Sequence, residues 1–393
     1  MPIDPIILLQ QLIAIPSVNP ACDDGDPSVS GEGRLTDFIE QILEGIGLRT
    51  LRQPIEPGRD NLLAWLLAGP DADGSEVLML EAHQDTVSAE GMTIDPFSAA
   101  VCNGRVYGRG ACDVKGGLAA MIAAVSRLSQ QRPPHMPAII VACTVNEEAG
   151  FSGAQGLADG LRGALVSKLP GLPTACIVFE PTDLVPVVAH RGVARWRCHT
   201  TGRAVQSSEP QLGENAIYKM ARIVTALQNY AEVTLRQSPA DPFCGGPTLS
   251  VGTIHGGTGV NTVPDSATIE IDHRTLPCDD PQQAWHNVQA YLAAQIKPHV
   301  EARHDPPHLA VPGLIAENNV PLAARLIAAG ASGPPVGVAY STNATAYAAA
   351  GIPTLVFGPG SIQQAHTADE WIAVEQLQAA VEILVRFANQ PPT

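Results

Sequence analysis

The sequence predicts an α/β sandwich around a largely parallel sheet, with a small α+β unit inserted into it. Three observations carry this. Short apolar, β-branched runs at 77–80, 138–144, 175–179 and 353–357 have the length of strands, and each ends in polar residues. Between them lie helical patterns such as 117–130, with apolar residues at helical spacing and almost no breakers. From about 184 to 306 the texture changes: strand-like stretches at 193–200, 248–254 and 267–274 interleave with helix candidates at 215–231 and 281–294. Strands alternating with helices call for a parallel sheet covered on both faces, and such sheets bind ligands at the carboxyl ends of their strands.

Size and composition bound the function. A chain of 393 residues exceeds the comfortable size of one domain, so two are expected, divided as 1–184 with 307–393, and 185–306. Hydrophobic residues at 45% and charged residues at 16% suit a well-buried globular enzyme. The net charge of −16 argues against nucleic acid and anionic membranes as partners. The first arginine is Arg34, and no apolar stretch approaches the roughly 18 residues of a membrane span. Eight scattered cysteines without a CxxC pair read as reduced, mostly structural thiols. A cytoplasmic protein is expected.

The strand ends carry the chemistry. After the first run stands His83-Gln84-Asp85; a metal-binding histidine needs its second ring nitrogen held, and Asp85 lies on the same side of an extended chain. The plainer reading is a buried histidine beside a capping aspartate. Asp113, in the stretch GRGACDVKGG at 108–117, opens the helix that follows; it is either an N-cap or a carboxylate shared by two metal ions. Asn146-Glu147-Glu148 follows the second run; as a solvated turn it would be unremarkable, but adjacent glutamates facing a cleft demand a compensating positive charge. Glu180 follows the third run, and His366 lies beyond Gly358-Pro359-Gly360 after the fourth. Each residue alone is a weak signal. Together, two histidines and three carboxylates, one of them shared, provide three ligands for each of two divalent ions and leave positions open for water and substrate. A serine or cysteine hydrolase is disfavoured, since there is no GxSxG elbow and Cys112 and Cys143 have no evident base.

These stretches (HQDTV, GRGACDVKGG, NEEAG, EPTD and GPGSIQQAHTADE, with GGTGVNTVPDSA and DHRTLP in the inserted segment) resemble the metallopeptidase family of acetylornithine deacetylase, succinyl-diaminopimelate desuccinylase, aminoacylase and carboxypeptidase G. The likeness runs from about Leu12 to Trp371. It implies a three-layer α/β/α zinc-peptidase-like catalytic domain with a ferredoxin-like lid that also dimerises the chain. Two zinc ions are implied, with cobalt or manganese acceptable to the same donors. His83, Asp113 and Glu180 would hold one ion, and Asp113, Glu148 and His366 the other. Asp85 would orient His83, and Glu147 would be the general base. Arg274 would grip a substrate α-carboxylate, with Asn261, Gln206 and Gly360 as further substrate contacts. The implied substrate is a small N-acyl-amino acid, in an arginine-biosynthesis setting, with a dipeptide as the alternative. Hinges for lid motion are expected near 183–186 and 304–307.

Two positions depart from the family pattern. Where a lid histidine is usual, the chain carries Gln206, which can donate a hydrogen bond but never positive charge. Where many members are acidic, it carries Asn343. A substitute donor, His190, is a weaker candidate. These departures keep open a third reading, a ligand-binding member with weakened catalysis.

Overall fold

The computed structural model describes residues 2–22, 25–72, 74–296 and 301–390. Two compact units emerge, one comprising Met1–Val188, Ala316–Val336 and Thr342–Thr393, the other Ala189–Ile315 and Gly337–Ser341.

The first unit is organised by one sheet. Its four central strands, Ala138–Thr144, Val77–His83, Ala175–Val178 and Thr354–Val356, run parallel in that order. These are the four apolar runs singled out from sequence. They read as continuous hydrophobic stretches because both faces of a parallel sheet are covered. An antiparallel pair, Arg49–Glu56 and Arg59–Leu66, extends the sheet on the side of Ala138–Thr144, and the sheet continues past Thr354–Val356 through Val187–His190 and Val336–Val338. Sequence reading did not find the Arg49–Leu66 hairpin: its first strand is mostly half-exposed and contains Pro54, so it carries little apolar signal.

Strand alternation divides the side chains between two cores. Leu62, Leu78, Leu80, Ile139, Val141 and Ile177 pack with residues of helices Pro5–Ile13, Gly33–Gly45, Lys115–Gln131 and Val374–Ala388. The alternate residues Leu63, Met79, Ile140 and Cys176 are also buried, and helices Ser152–Arg162 and Ala344–Ala349 contact strands of the same sheet. The result is a three-layer α/β/α sandwich. Helix Lys115–Gln131 begins with two glycines for a steric reason. A Cβ on Gly117 would lie 2.9 Å from Phe179 Cβ, and one on Gly116 would lie 2.6 Å from the Ala111 carbonyl oxygen.

The second unit is α+β. Strand Gly192–Thr201, helix Ala216–Asn229, strands Thr248–Gly256 and Ser266–Thr275, helix Pro281–Ile296 and strand Arg303–His304 follow one another in the order β-α-β-β-α-β. The antiparallel sheet runs Thr248–Gly256, Ser266–Thr275, Gly192–Thr201, Arg303–His304, the ferredoxin-like order. Trp196, Ile269 and Ile271 face the two helices and pack on Met220, Ile223, Leu227, Val288 and Leu292. The other face carries cross-strand ion pairs, Arg195 with Asp272 and Arg197 with Glu270. Asn215 caps the first helix by accepting from Tyr218 N. Among the described residues, no helix is long and apolar enough to cross a membrane.

Burial in the second unit has a consequence for acid stability. Desolvation pushes the imidazoles of His190 and His273 down to about 4, so both stay neutral in the fold. As pH falls below the ordinary histidine value of about 6.5, the unfolded chain takes up protons that these rings refuse. Their contribution is therefore fully present above about pH 6.5 and is lost as pH falls toward 4. Thermal unfolding is expected to show a midpoint that falls through this window, each ring contributing up to about 1.4 kcal/mol per pH unit. His273→Phe should flatten the fall, and a midpoint insensitive to pH between 6.5 and 4.5 in the parent would contradict the account.

Candidate metal centre

Three neighbouring parallel strands deliver acidic and imidazole groups to one edge of the first unit's sheet. His83 ends its strand in register with Thr144, so Asn146, Glu147 and Glu148 emerge just beyond it. Glu81 pairs with Val178, which places Glu180 on the neighbouring strand's exit. Asp113 lies immediately before helix Lys115–Gln131. The helix has Val114 at its N-cap and no side-chain capping bond, so the Asp113 carboxylate is not used as a cap. His366 lies in the loop after Thr354–Val356, at φ 60°.

The five expected ligands come together as two sets, His83 with Asp113 and Glu180, and Asp113 with Glu148 and His366. Within each set the donor atoms lie within 4.8 Å of one another. Asp113 stands between the sets: Oδ1 is 3.2 Å from His83 Nε2, and Oδ2 is 3.3 Å from His366 Nε2. Glu180 Oε1 is 4.0 Å from His83 Nε2, and Glu148 Oε2 is 3.1 Å from His366 Nε2. His83, Asp113 and Glu180 are buried, whereas the His366 side chain is 52% exposed, so one set is closed and the other reaches solvent.

Asp85 is used differently from the expectation. The His83 Nδ1–H points to the main-chain carbonyl oxygen of Asp85 at 2.9 Å, while the carboxylate Oδ1 is farther, at 3.6 Å. The ring is thus oriented chiefly by backbone, with Nε2 turned to Asp113 and Glu180. The carboxylate accepts instead from the main-chain N–H groups of Glu147 and Glu148, each at 3.0 Å, and from Asn19 Nδ2 at 2.7 Å. Asp85 therefore fixes the turn that carries both glutamates.

The electrostatics are those of unbalanced negative charge. Burial, then the nearby Asp113 carboxylate, pushes Glu148 up to about 7. Burial and neighbouring carboxylates also hold Glu147 and Glu180 well above the usual range, despite the opposing pull of His83. Burial alone would raise Asp113 as well, but the hydrogen bonds from His366 and His83 outweigh it and hold that carboxyl low. His366, facing Asp113 and Glu148, is raised to about 10. Buried Glu148 Oε1 has no hydrogen-bond partner among the described residues. A group with concentrated positive charge fits this cluster: two divalent cations would relieve the repulsion, and mixed histidine and carboxylate donors suit zinc, cobalt or manganese. Glu147 belongs to neither donor set.

The remaining expected residues fall in varied settings. Gly360 has φ 92°, and a Cβ there would meet Cys112 Sγ at 2.5 Å; its N–H donates to Gln376 Oε1. Arg274, in the second unit, already holds Asp272, through Nε at 2.7 Å and Nη2 at 3.2 Å. Gln206 is exposed and its main chain bridges to Thr262, while the Asn261 carbonyl accepts from Ser207 N. His190 is fully buried, its Nδ1 bonded to the Arg191 carbonyl.

Sequence reasoning missed three buried polar residues. Asn19 holds Asp85, as described above. Glu370 accepts from the loop that bears Asp113. Glu81 places a carboxyl against Asn343, whose Nδ2 donates to Glu81 Oε1 at 2.9 Å and to Thr144 Oγ1 at 3.1 Å. Asn343, at the N-terminus of helix Ala344–Ala349, is thus used to hold a buried acid of strand Val77–His83. The available signal was a charged residue inside an apolar run, two positions before His83.

The sequence model of Peptidase family M20/M25/M40 matches residues 79–390. Acetylornithine deacetylase of Edwardsiella ictaluri (strain 93-146) is 33% identical over 398 residues, covering 98% of this chain and 97% of that protein. Among solved structures, the dipeptidase Dug1p of Saccharomyces cerevisiae superposes with a TM-score of 0.76 at 14% identity, covering 99% of this chain and 96% of that one. A tripeptidase from Staphylococcus aureus gives 0.75 at 20% identity, covering 98% and 97%.

The Glu81–Asn343 pair generates a prediction. Burial pushes the Glu81 carboxyl up to about 7, against the pull of Thr144 and His83, so a second acid beside it has no counter-charge. Asn343→Asp is expected to destabilise the protein by about 3 kcal/mol, the scale of an uncompensated buried charge, and more at pH 8 than at pH 6. Adding Glu81→Gln should restore most of the loss. Unfolding curves that leave Asn343→Asp as stable as its parent at pH 8 would refute the pairing.

Proposed function

The chain belongs to peptidase family M20/M25/M40 and so is a metal-dependent hydrolase of amide bonds, and from that premise we propose that it deacylates a small N-acyl-amino acid, as acetylornithine deacetylase does. The observation that carries this reading is the pair of donor sets sharing Asp113, with Glu147 set among them but outside both. His83, Asp113 and Glu180 would hold one zinc ion, and Asp113, Glu148 and His366 the second. Bound there, the ions would lower the pKa of water and polarise the amide carbonyl. The Glu147 carboxylate accepts the proton released as water attacks the acyl carbon, and returns it to the departing amine nitrogen. Asp85 keeps that carboxylate on station through the N–H groups of Glu147 and Glu148.

The second unit acts as lid and dimerisation domain. Arg274 binds the substrate α-carboxylate: Asp272 sits between Arg195 and Arg274, so the trio keeps a net positive charge, and the guanidinium has five donors in all. Asn261, Gln206 and Gly360 complete the substrate contacts. The free cysteines, five of the eight buried, suit a reducing cytoplasm, and the chemistry belongs to amino-acid metabolism, arginine biosynthesis being the nearest fit.

Gln206 supports a second reading, a protein that holds its ligand but turns it over slowly. An amide cannot bring positive charge to a developing oxyanion, and loss of one such donor typically costs about 2.7–4 kcal/mol of barrier. One experiment addresses both readings. Protein assayed for bound metal is tested against acetyl-, formyl- and succinyl-amino acids and dipeptides. Release of acid from an acyl-amino acid is expected, with two ions per chain and activity lost on chelation. Glu147→Gln should keep its metal and lose about 10²–10⁴-fold in kcat. Release of two amino acids instead would select a dipeptidase. A metal-loaded parent that is inert, but active as Gln206→His, would establish the second reading; inertness of both would refute hydrolysis.

Dimerisation is supported by the edge strand Thr248–Gly256, on which the apolar Ile254 is 57% exposed. Sedimentation velocity at micromolar concentration should show a dimer that Ile254→Asp converts to monomer, whereas a monomeric parent would exclude the arrangement.

A further inference from the structure

We propose that Glu370 is a positioning residue that sets the place of Asp113 relative to His366, and through it the grip on the second ion; the affinity part of this proposal rests on the two-ion reading above. Glu370 is fully buried and lies four positions beyond His366 in the same loop. Its Oε1 accepts from the main-chain N–H groups of Cys112 at 2.8 Å and Asp113 at 3.0 Å. Its Oε2 accepts from Gly110 N at 3.0 Å and from Arg109 Nη1 at 2.8 Å. The Arg109 guanidinium is itself buried and supplies a positive charge against this carboxyl, opposing the upward push of burial.

These bonds close a ring. Asp113 is held from behind through its N–H by Glu370, and from the front through Oδ2 by His366 Nε2 at 3.3 Å, and a short stretch of chain joins the two holders. The same stretch is pinned to the loop again by Gly108 N on the Glu370 carbonyl at 3.0 Å, and to a separate segment by Thr93 N on the Ala368 carbonyl at 2.8 Å. The set containing both tethered residues is Asp113, Glu148 and His366, whereas His83 and Glu180 stand on strand ends outside the ring. Disturbing Glu370 therefore changes the spacing of the second set more than that of the first. A carboxylate is required because donors arrive at both oxygens. An amide has one accepting oxygen and one donating nitrogen, so a glutamine leaves either Cys112 and Asp113 or Gly110 and Arg109 facing a donor.

The test compares the parent with Glu370→Gln, by amide hydrogen exchange without metal and by cobalt titration followed by chelator competition and visible absorption. Exchange across 109–113 should accelerate by about ten-fold or more, with strand Ala138–Thr144 unchanged. The second cobalt equivalent should weaken by about ten-fold or more, the first by less, with an altered absorption band. Glu370→Asp, which keeps two acceptors on a shorter arm, should fall between and serves if the glutamine variant fails to fold. Exchange indistinguishable from the parent would overturn the positioning role. Parent-like affinity for the second equivalent would overturn the link to the ion. A parent that takes up no cobalt would sink the two-ion reading and with it the affinity claim, while the exchange data would still decide the loop.

Discussion

Crowded negative charge at the carboxyl ends of adjacent parallel strands is the constraint to which the rest of the first unit answers. Asp85, Asp113, Glu147, Glu148 and Glu180 converge within a few ångströms of two histidines. In water such a cluster would disperse; here the strands that carry it are held by cores on both faces of the sheet. The apolar interior supplies the rigidity, and the polar rim stores the repulsion. Around the rim lies a layer of neutral and main-chain donors, with Asn19 and the glutamate N–H groups on Asp85 and the loop N–H groups on Glu370. These bonds consume no lone pair that faces the donor sets.

Much of this was legible in the sequence, for a definite reason. A parallel strand covered on both faces must be apolar along its whole length, and its first polar residues mark where it emerges. His83, Glu148 and Glu180 were found that way, and the structure places each at such an exit. Asp113 and His366 were found by the glycine-rich stretches beside them, one opening a helix and the other following the fourth run, and the family resemblance added only how the ligands divide between two ions. The second unit's strands and helices were also visible, because its sheet is covered on one face only and alternates cleanly, as Ser266–Thr275 does.

What stayed hidden depends on contacts across long separations. Glu370 reads from sequence as one more acidic residue in a polar stretch, and only its partners, some 257–261 positions away, reveal its burial. Asp85 was singled out from the sequence beside His83, but the division of labour between its carbonyl and its carboxylate is a matter of backbone geometry that no residue pattern encodes. Arg274 illustrates the opposite case. Its side chain has an intrachain partner, Asp272, two residues away on the same strand.

The wide spacing of the donors along the chain also orders events in time. His366 lies 218 residues beyond Glu148, with the whole second unit between them. At ribosomal rates of about 5–20 residues per second, roughly 10–45 seconds separate the synthesis of those two residues. Throughout that interval the nascent polypeptide carries the acidic half of a binding site and lacks the imidazole that completes it. Loading of the solvent-facing set therefore waits on synthesis of His366, and a product released before that residue is translated would emerge with the set unfinished.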